Sequence, residues 1–340
     1  MTDGVLVHPE VRDALADGSP VVVLETAVLT HGLPREPMDA VPAVFGHRLS
    51  KGVLWDEDAP ANLATSRGVS QLVRSLGGVP ASCCVLDGVL RVGIDPDEVE
   101  RLAGETVEKC STRDLARVVA SGGSGGTTVA GTLAIMDAAN ARLSRDGTNR
   151  LRVFATGGIG GVHRGWSQHG DVSADLRALA STRALVVSAG AKVILDLPAT
   201  CEFLDTNQIP VVGWRVGHLP RFTVQGVPGT LEIPMVDDLD RLCELCRHHW
   251  GTLDREEAIL LMNELPGELA MEAMLVEACL GEGLEQAAAA GVNGLEVTPF
   301  LLDHLARSTG GGALQANIAL LLNNARLATE AAGSLARSAS

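Results

Sequence analysis

Short apolar runs of strand length, each followed by a stretch of helical pattern, decide most of what this chain can become. VVVLETAV (21–28), LRVFATGG (151–158), ALVVSAG (184–190) and IPVVGW (209–214) are apolar on both alternating faces, the signature of strands covered on two sides. ASCCVLDGVLRVGI (81–94) reads as a hairpin turning at Asp87-Gly88. Between them, DPDEVERLAG (95–104) opens with acids and closes on glycine, and TTVAGTLAIMDAANARLSR (127–145) leaves a glycine loop with helical spacing. The last hundred residues carry two more helical stretches, ELAMEAMLVEACLGEGLEQAAAAG and ALQANIALLLNNARLATEAA. Strand–helix alternation of this kind implies an α/β fold with a mainly parallel central sheet, mixed because of the hairpin. No linker divides the sequence, so residues 1–340 are expected to form one domain. Residues 217–234 (GHLPRFTVQGVPGTLEIP) form a Pro/Gly-rich insertion suited to a flap or an oligomer contact, and 333–340 is expected to fray as a tail.

Charge narrows the function classes. The chain has 27 Lys plus Arg against 42 Asp plus Glu, a formal net charge of −15, which argues against a nucleic-acid partner. No run of about 18 apolar residues suggests a membrane span, and the first residues show no secretory pattern. Seven cysteines without framework spacing fit reduced thiols, so the expectation is a cytoplasmic protein. Within the basic set only Lys51, Lys109 and Lys192 are lysines, against 24 arginines. Arginine supplies charge but cannot deprotonate or form an imine. A lysine kept in such a chain is therefore a candidate for amine chemistry. Lys51 has the setting of a surface residue, whereas Lys192 sits at the exit of a buried strand in VVSAGAKVILDL. Apolar neighbours there favour the free amine that attacks an aldehyde. Glu25 ends the first buried strand, where a half-buried carboxylic acid keeps its proton and serves as a general acid.

Other motifs are less specific. Glycine clusters at 122–128, 156–165 and 309–314 match neither a Walker loop nor a dinucleotide fingerprint. Such turns expose backbone N–H groups, and with Arg113, His163 and Arg164 nearby they suggest a small anion site. Asp171, Ser173 and Asp175 lack the ligand pattern of an EF-hand, leaving either one carboxylate holding a hydrated Mg²⁺ or Mn²⁺ or an N-capped surface helix. Cys243, Cys246, His248 and His249 resemble half a zinc site but recur at helical intervals, so they read as one helix face. Cys83 and Cys84 read as core packing in a strand.

FATGGIGGVHRG followed by DVSADL and VVSAGAKVILDL resembles the central block of the pseudouridine-5'-phosphate glycosidase family, also called indigoidine synthase A-like. LETAVLTHGLP, GGVPASCCVLDGVLRVGI, KCSTRDL, GGTTVAGT, VTPFLL and LQANIALLLNNA extend the resemblance across roughly residues 5 to 332. The resemblance implies an α/β/α sandwich, a homotrimer, and chemistry at a C–C glycosidic bond between ribose 5-phosphate and a ring carbon. It places the imine-forming lysine at Lys192, the proton donor at Glu25, the metal aspartate, usually with Mn²⁺, at Asp171, and a second substrate-binding lysine at Lys109. Substrate contacts fall at Val129 and at Ser173, Ala174 and Asp175, with His163 and Asn317 near the base. Ser111, Arg113, Thr127 and Thr128, in the adjoining segments, join the expected phosphate and substrate site. The chemistry is coherent: a C-glycoside lacks the heteroatom leaving group of ordinary glycosidases, and an imine at C1 supplies the electron sink instead.

Departures from the family pattern cluster on one side. Glu25-Thr26-Ala27 stands where the family has E-S-T, REPMDA follows HGLP and loses an asparagine, PASCC replaces PATIA, Ser111-Thr112-Arg113-Asp114 replaces SRRD, and MNELP (262–266) replaces ANPIP. Sugar handling therefore looks retained and acceptor handling altered. This favours C-ribosylation of an aromatic polyketide-type acceptor, as in the alnumycin-type branch, over uracil and pseudouridine 5'-phosphate. A non-catalytic sugar-phosphate-binding subunit is a third reading.

Overall fold

In the computed structural model, residues 4–38, 53–145, 150–292 and 297–338 are described; Lys51 lies outside them. Among the described residues eleven strands form the sheet: β1 (Val5–Val7), β2 (Val21–Leu24), β3 (Val79–Leu86), β4 (Val89–Val92), β5 (Glu108–Cys110), β6 (Gly125–Thr127), β7 (Val153–Ala155), β8 (Leu185–Ser188), β9 (Val211–Trp214), β10 (Met235–Val236) and β11 (Ile259–Met262). Their order is β1-β4-β3-β2-β7-β8-β11-β9-β10, with β6 pairing β3 and β5 pairing β6. Apart from the β3–β4 and β3–β6 pairs, every ladder is parallel.

The physical cause is visible in β2, β8 and β11, whose four residues are all buried. Alternate side chains feed two separate cores. Val21, Val23, Phe154, Val186, Leu260 and Met262 enter one, while Val22, Leu24, Val153, Leu185, Val187, Ile259 and Leu261 enter the other. Helices Pro9–Ala16, Val129–Leu143 and Ala174–Leu179 cover the first face; Ala61–Ser75, Leu239–Arg247 and Gly312–Ser338 cover the second. The result is an α/β/α sandwich. The expected hairpin is present, turning on Asp87 (φ 49°) and Gly88 (φ 74°), the two positive φ values that an Asp-Gly turn supplies.

Three expectations change. The C-terminal tail is not frayed through 338: Gly312–Ser338 is one helix, with Ala331, Ala332, Gly333 and Ser334 buried against its neighbours. The expected 127–145 helix starts later, because Thr127 belongs to β6 and Thr128 is the N-cap of Val129–Leu143. The 217–234 segment is only partly loose. Leu219, Phe222, Thr223 and Val224 are buried, Phe222 N–H donates to Ala189 O at 2.8 Å, and Gly226 N–H donates to Glu264 at 2.7 Å.

Candidate active site

Parallel strands collect functional groups at their carboxyl ends, where no further ladder bond is made. Here Glu25 directly follows β2, Thr156 follows β7, β8 runs out toward Lys192 and Asn263 follows β11. Ala191, Val193 and Ile194 are buried, so the backbone on both sides of Lys192 is fixed, and Lys192 N–H donates to Ile159 O at 3.2 Å. Lys109 arrives from β5 beside β6.

Glu25 is half-buried in this cluster. Desolvation pushes its carboxyl above the ordinary range, against the pull of the Lys192 charge, the Thr156 hydroxyl and the Lys109 charge. Asp175 adds a smaller upward push. Lys109 keeps part of its side chain open to solvent, yet the protein around its amine and the Lys192 charge hold it below the usual ammonium range. Two amines and one carboxylic acid therefore share one electrostatic neighbourhood. Beside Glu25 and Thr156 lies a mainly apolar pocket, lined in part by Val28, Leu29, Leu33, Val69 and Leu321. Asn317 stands one helical turn before Leu321, also close to the Gly157 backbone.

The DVSADL segment is divided between two tasks. Asp175 is buried, and its two carboxylate oxygens accept from Ala130 N–H (2.9 Å) and Gly160 N–H (2.8 Å). Ser173 caps the helix Ala174–Leu179 by accepting from Asp175 N–H, and Ala174 is exposed. Asp171 is partly open, with its carboxylate 3.7 Å from Nδ1 of His163. Burial holds His163 below its usual range, opposed by Asp171. No group of three or more His, Cys, Asp or Glu side chains converges among the described residues. Since both Asp175 oxygens are taken, Asp171 is the carboxylate free to face a cation. That donor set fits a largely hydrated divalent ion held by one carboxylate, and it does not fit a closed cage.

Several expected contacts are redirected. Thr127 is fully buried, its hydroxyl donating to Cys83 O at 2.7 Å and meeting the Thr132 hydroxyl at 2.8 Å, so its side chain braces the fold. Ser111 caps the helix Thr112–Ala120 in a reciprocal capping box with Asp114. Arg113 is 72% exposed and 3.9 Å from Asp114, and Arg164 faces Glu277 and Val193 O, so these arginines do not converge with His163 on an anion site. Thr128 and Val129 do open a helix N-terminus, but Asp175 already occupies the Ala130 N–H there. The glycines at 156–165 serve close packing: a Cβ on Gly160 would lie 2.2 Å from Ser173 Oγ. Gly310 and Gly311 make the turn between two helices. Leu242, Cys243 and Cys246 form the buried face of Leu239–Arg247, and burial pushes the Cys246 thiol up to about 12. Burial likewise raises Cys83 and Cys84, the mark of unreactive core thiols.

Against this geometry the comparisons with known proteins are decisive. Residues 51–334 match the profile of indigoidine synthase A-like proteins. The chain belongs to that family. It is 37% identical to a pseudouridine-5'-phosphate glycosidase of Hahella chejuensis over 96% of this chain and 97% of the relative. A pseudouridine-5'-phosphate glycosidase of Saccharopolyspora erythraea is 41% identical, covering 97% and 98% of the two chains. The crystal structure of a prealnumycin C-glycosynthase in complex with ribulose 5-phosphate superimposes with a TM-score of 0.81 at 32% identity, covering 100% of this chain and 99% of that one.

Two features escaped the sequence. One is the pairing of the segment after HGLP with the start of the helix Ala61–Ser75: Asn62 N–H donates to Pro34 O at 3.0 Å, and Ala61 N–H to Glu36 O at 2.9 Å. The chain therefore leaves at Glu36 and comes back at Ala61, where buried Asn62 clamps Leu29 O and Ala103 O. The other is Thr156, whose hydroxyl donates to Oε1 of Glu25. Its only sequence signal is its place directly after the apolar run of β7.

Proposed function

We propose that this protein breaks and forms the C–C glycosidic bond of pseudouridine 5'-phosphate, yielding uracil and ribose 5-phosphate in the cleavage direction. The observation that carries the reading is the shared neighbourhood of Glu25, Lys192 and Lys109 at the carboxyl edge of the sheet. Sequence departures alone favoured an aromatic acceptor, and the relatives reverse that order. Curated relatives at 37% and 41% identity are pseudouridine-5'-phosphate glycosidases.

In this reading the Lys192 amine attacks C1 as the bond from C1 to the sugar-ring oxygen breaks; that oxygen takes the electron pair and the proton shed by the nitrogen, leaving an opened sugar bonded to Lys192. The nitrogen lone pair forms the C=N bond as the bond from C1 to the ring carbon breaks. The electron pair goes to the ring carbon, which takes the proton of Glu25. Water then hydrolyses the imine to the C1 aldehyde and the free amine. Desolvation raises the Glu25 carboxyl and so favours its protonated form for this role, and Lys109 supplies positive charge toward the phosphate. Asp171, with His163 beside it, is the place for Mn²⁺, which when bound supplies positive charge to anionic oxygens.

A second reading, C-ribosylation of a different ring carbon, is favoured by the likeness to the prealnumycin C-glycosynthase over the whole chain. One experiment separates them. With Mn²⁺ present, purified protein is incubated with pseudouridine 5'-phosphate, and uracil and ribose 5-phosphate are followed by chromatography. Cleavage supports the glycosidase reading. Absence of cleavage, with borohydride trapping ribose 5-phosphate on Lys192, moves the assignment to another acceptor; absence of both supports a sugar-phosphate-binding subunit.

A further inference from the structure

We propose that Thr156 is a positioning residue for the proton of Glu25, its hydroxyl marking Oε1 as an acceptor so that Oε2 carries the proton exchanged with the substrate. The inference rests on Glu25 being the proton donor.

Thr156 is buried and β-branched, so its rotamer is restricted. A buried threonine hydroxyl commonly returns to a backbone carbonyl, as Thr65 and Thr329 do here. Thr156 instead gives its one hydrogen to the Glu25 carboxyl. An oxygen that accepts this hydrogen bond is the one left without a proton. The remaining groups that act on Glu25 are the Lys192 and Lys109 ammoniums and the Asp175 carboxylate; Thr156 is the neutral donor among them.

The backbone of Thr156 is held on both sides. Its N–H donates to Val187 O at 3.0 Å, and its carbonyl accepts from Asn324 Nδ2 at 2.8 Å. Asn324, fully buried, also donates to Gly157 O, and its Oδ1 accepts from Asn263 Nδ2 at 3.1 Å. Asn263 N–H in turn donates to Ser188 O at 2.8 Å, at the end of the strand leading to Lys192. One frame of buried amides therefore registers the Glu25 partner against the Lys192 strand. Fully satisfied buried networks of this kind are rigid, and rigidity is what a proton-transfer geometry requires.

The test compares wild type, Thr156→Val, Thr156→Ser and Glu25→Gln. In pseudouridine 5'-phosphate cleavage, Thr156→Val is expected to lower kcat about 10-fold with little change in KM, short of the ~10²–10⁴ for loss of a general acid. Its alkaline limb should move to higher pH, because a donor to the carboxylate is lost, and Thr156→Ser should restore both. Equal damage in the Ser and Val variants, or a wild-type profile in Thr156→Val, overturns the proposal. Full turnover by Glu25→Gln overturns the proton-donor reading itself. A substrate-free readout covers a protein that does not cleave this nucleotide: the infrared carboxylic C=O band present in wild type and absent in Glu25→Gln. In Thr156→Val it should shift to higher frequency and titrate at higher pH; an unmoved band rejects the proposal.

Discussion

Gly160 N–H donates to Asp175 at 2.8 Å, tying the glycine turn after β7 to the segment that carries Asp171. The other Asp175 oxygen accepts from Ala130 at 2.9 Å, so one carboxylate joins three pieces of chain around the site. Asp175→Asn replaces one acceptor with an NH₂ that meets an N–H. A buried donor left without an acceptor costs about 1–3 kcal/mol. A fall in urea midpoint with an unchanged slope is the expected result; a wild-type midpoint would remove Asp175 from the structural frame.

Lys192→Ala should abolish turnover and borohydride labelling by ribose 5-phosphate, with the labelled peptide in wild type containing residue 192. Lys109 is the built-in control, since burial and the Lys192 charge hold its amine below the usual ammonium range. A label on Lys109 in wild type would exchange the roles of the two lysines.

The pH dependence of stability follows from Glu25. Its folded-state value is raised above 4.5 by desolvation, so its contribution is present in full below the unfolded value and is lost as pH rises through the folded one. Glu25→Gln cannot ionise. Relative to wild type, the variant should therefore gain melting temperature as pH is raised from about 4.5 into the neutral range. A difference that stays flat over that window would show that Glu25 is not desolvated.

Asp171 is partly open and its carboxylate lies 3.7 Å from the His163 ring, so its removal should spare the fold. Asp171→Ala is expected to weaken Mn²⁺ binding, read by the free-Mn²⁺ spectrum in an electron paramagnetic resonance titration, with melting changed by less than ~0.5 kcal/mol in stability. Undiminished Mn²⁺ binding would move the metal elsewhere.

The alternation of apolar strands with helical stretches was enough to determine the α/β class, because a parallel sheet covered on both faces demands such runs, as at β2, β7 and β8; β11, equally buried, was not read from the sequence. Scarcity of lysine and a place at a strand exit singled out Lys192, since imine chemistry needs an amine that arginine cannot replace, whereas Lys109 was marked by the family resemblance. Local pattern could not separate Asp171 from Asp175, four residues apart. Only the fold turns Asp175 inward onto Ala130 and Gly160 and leaves Asp171 facing outward. The return of Asn62 to Pro34 and the bond from Thr156 to Glu25, 131 residues apart, are likewise tertiary facts. Hydrophobic periodicity reports burial along one element, whereas a hydrogen bond between elements depends on how the sheet brings their ends together.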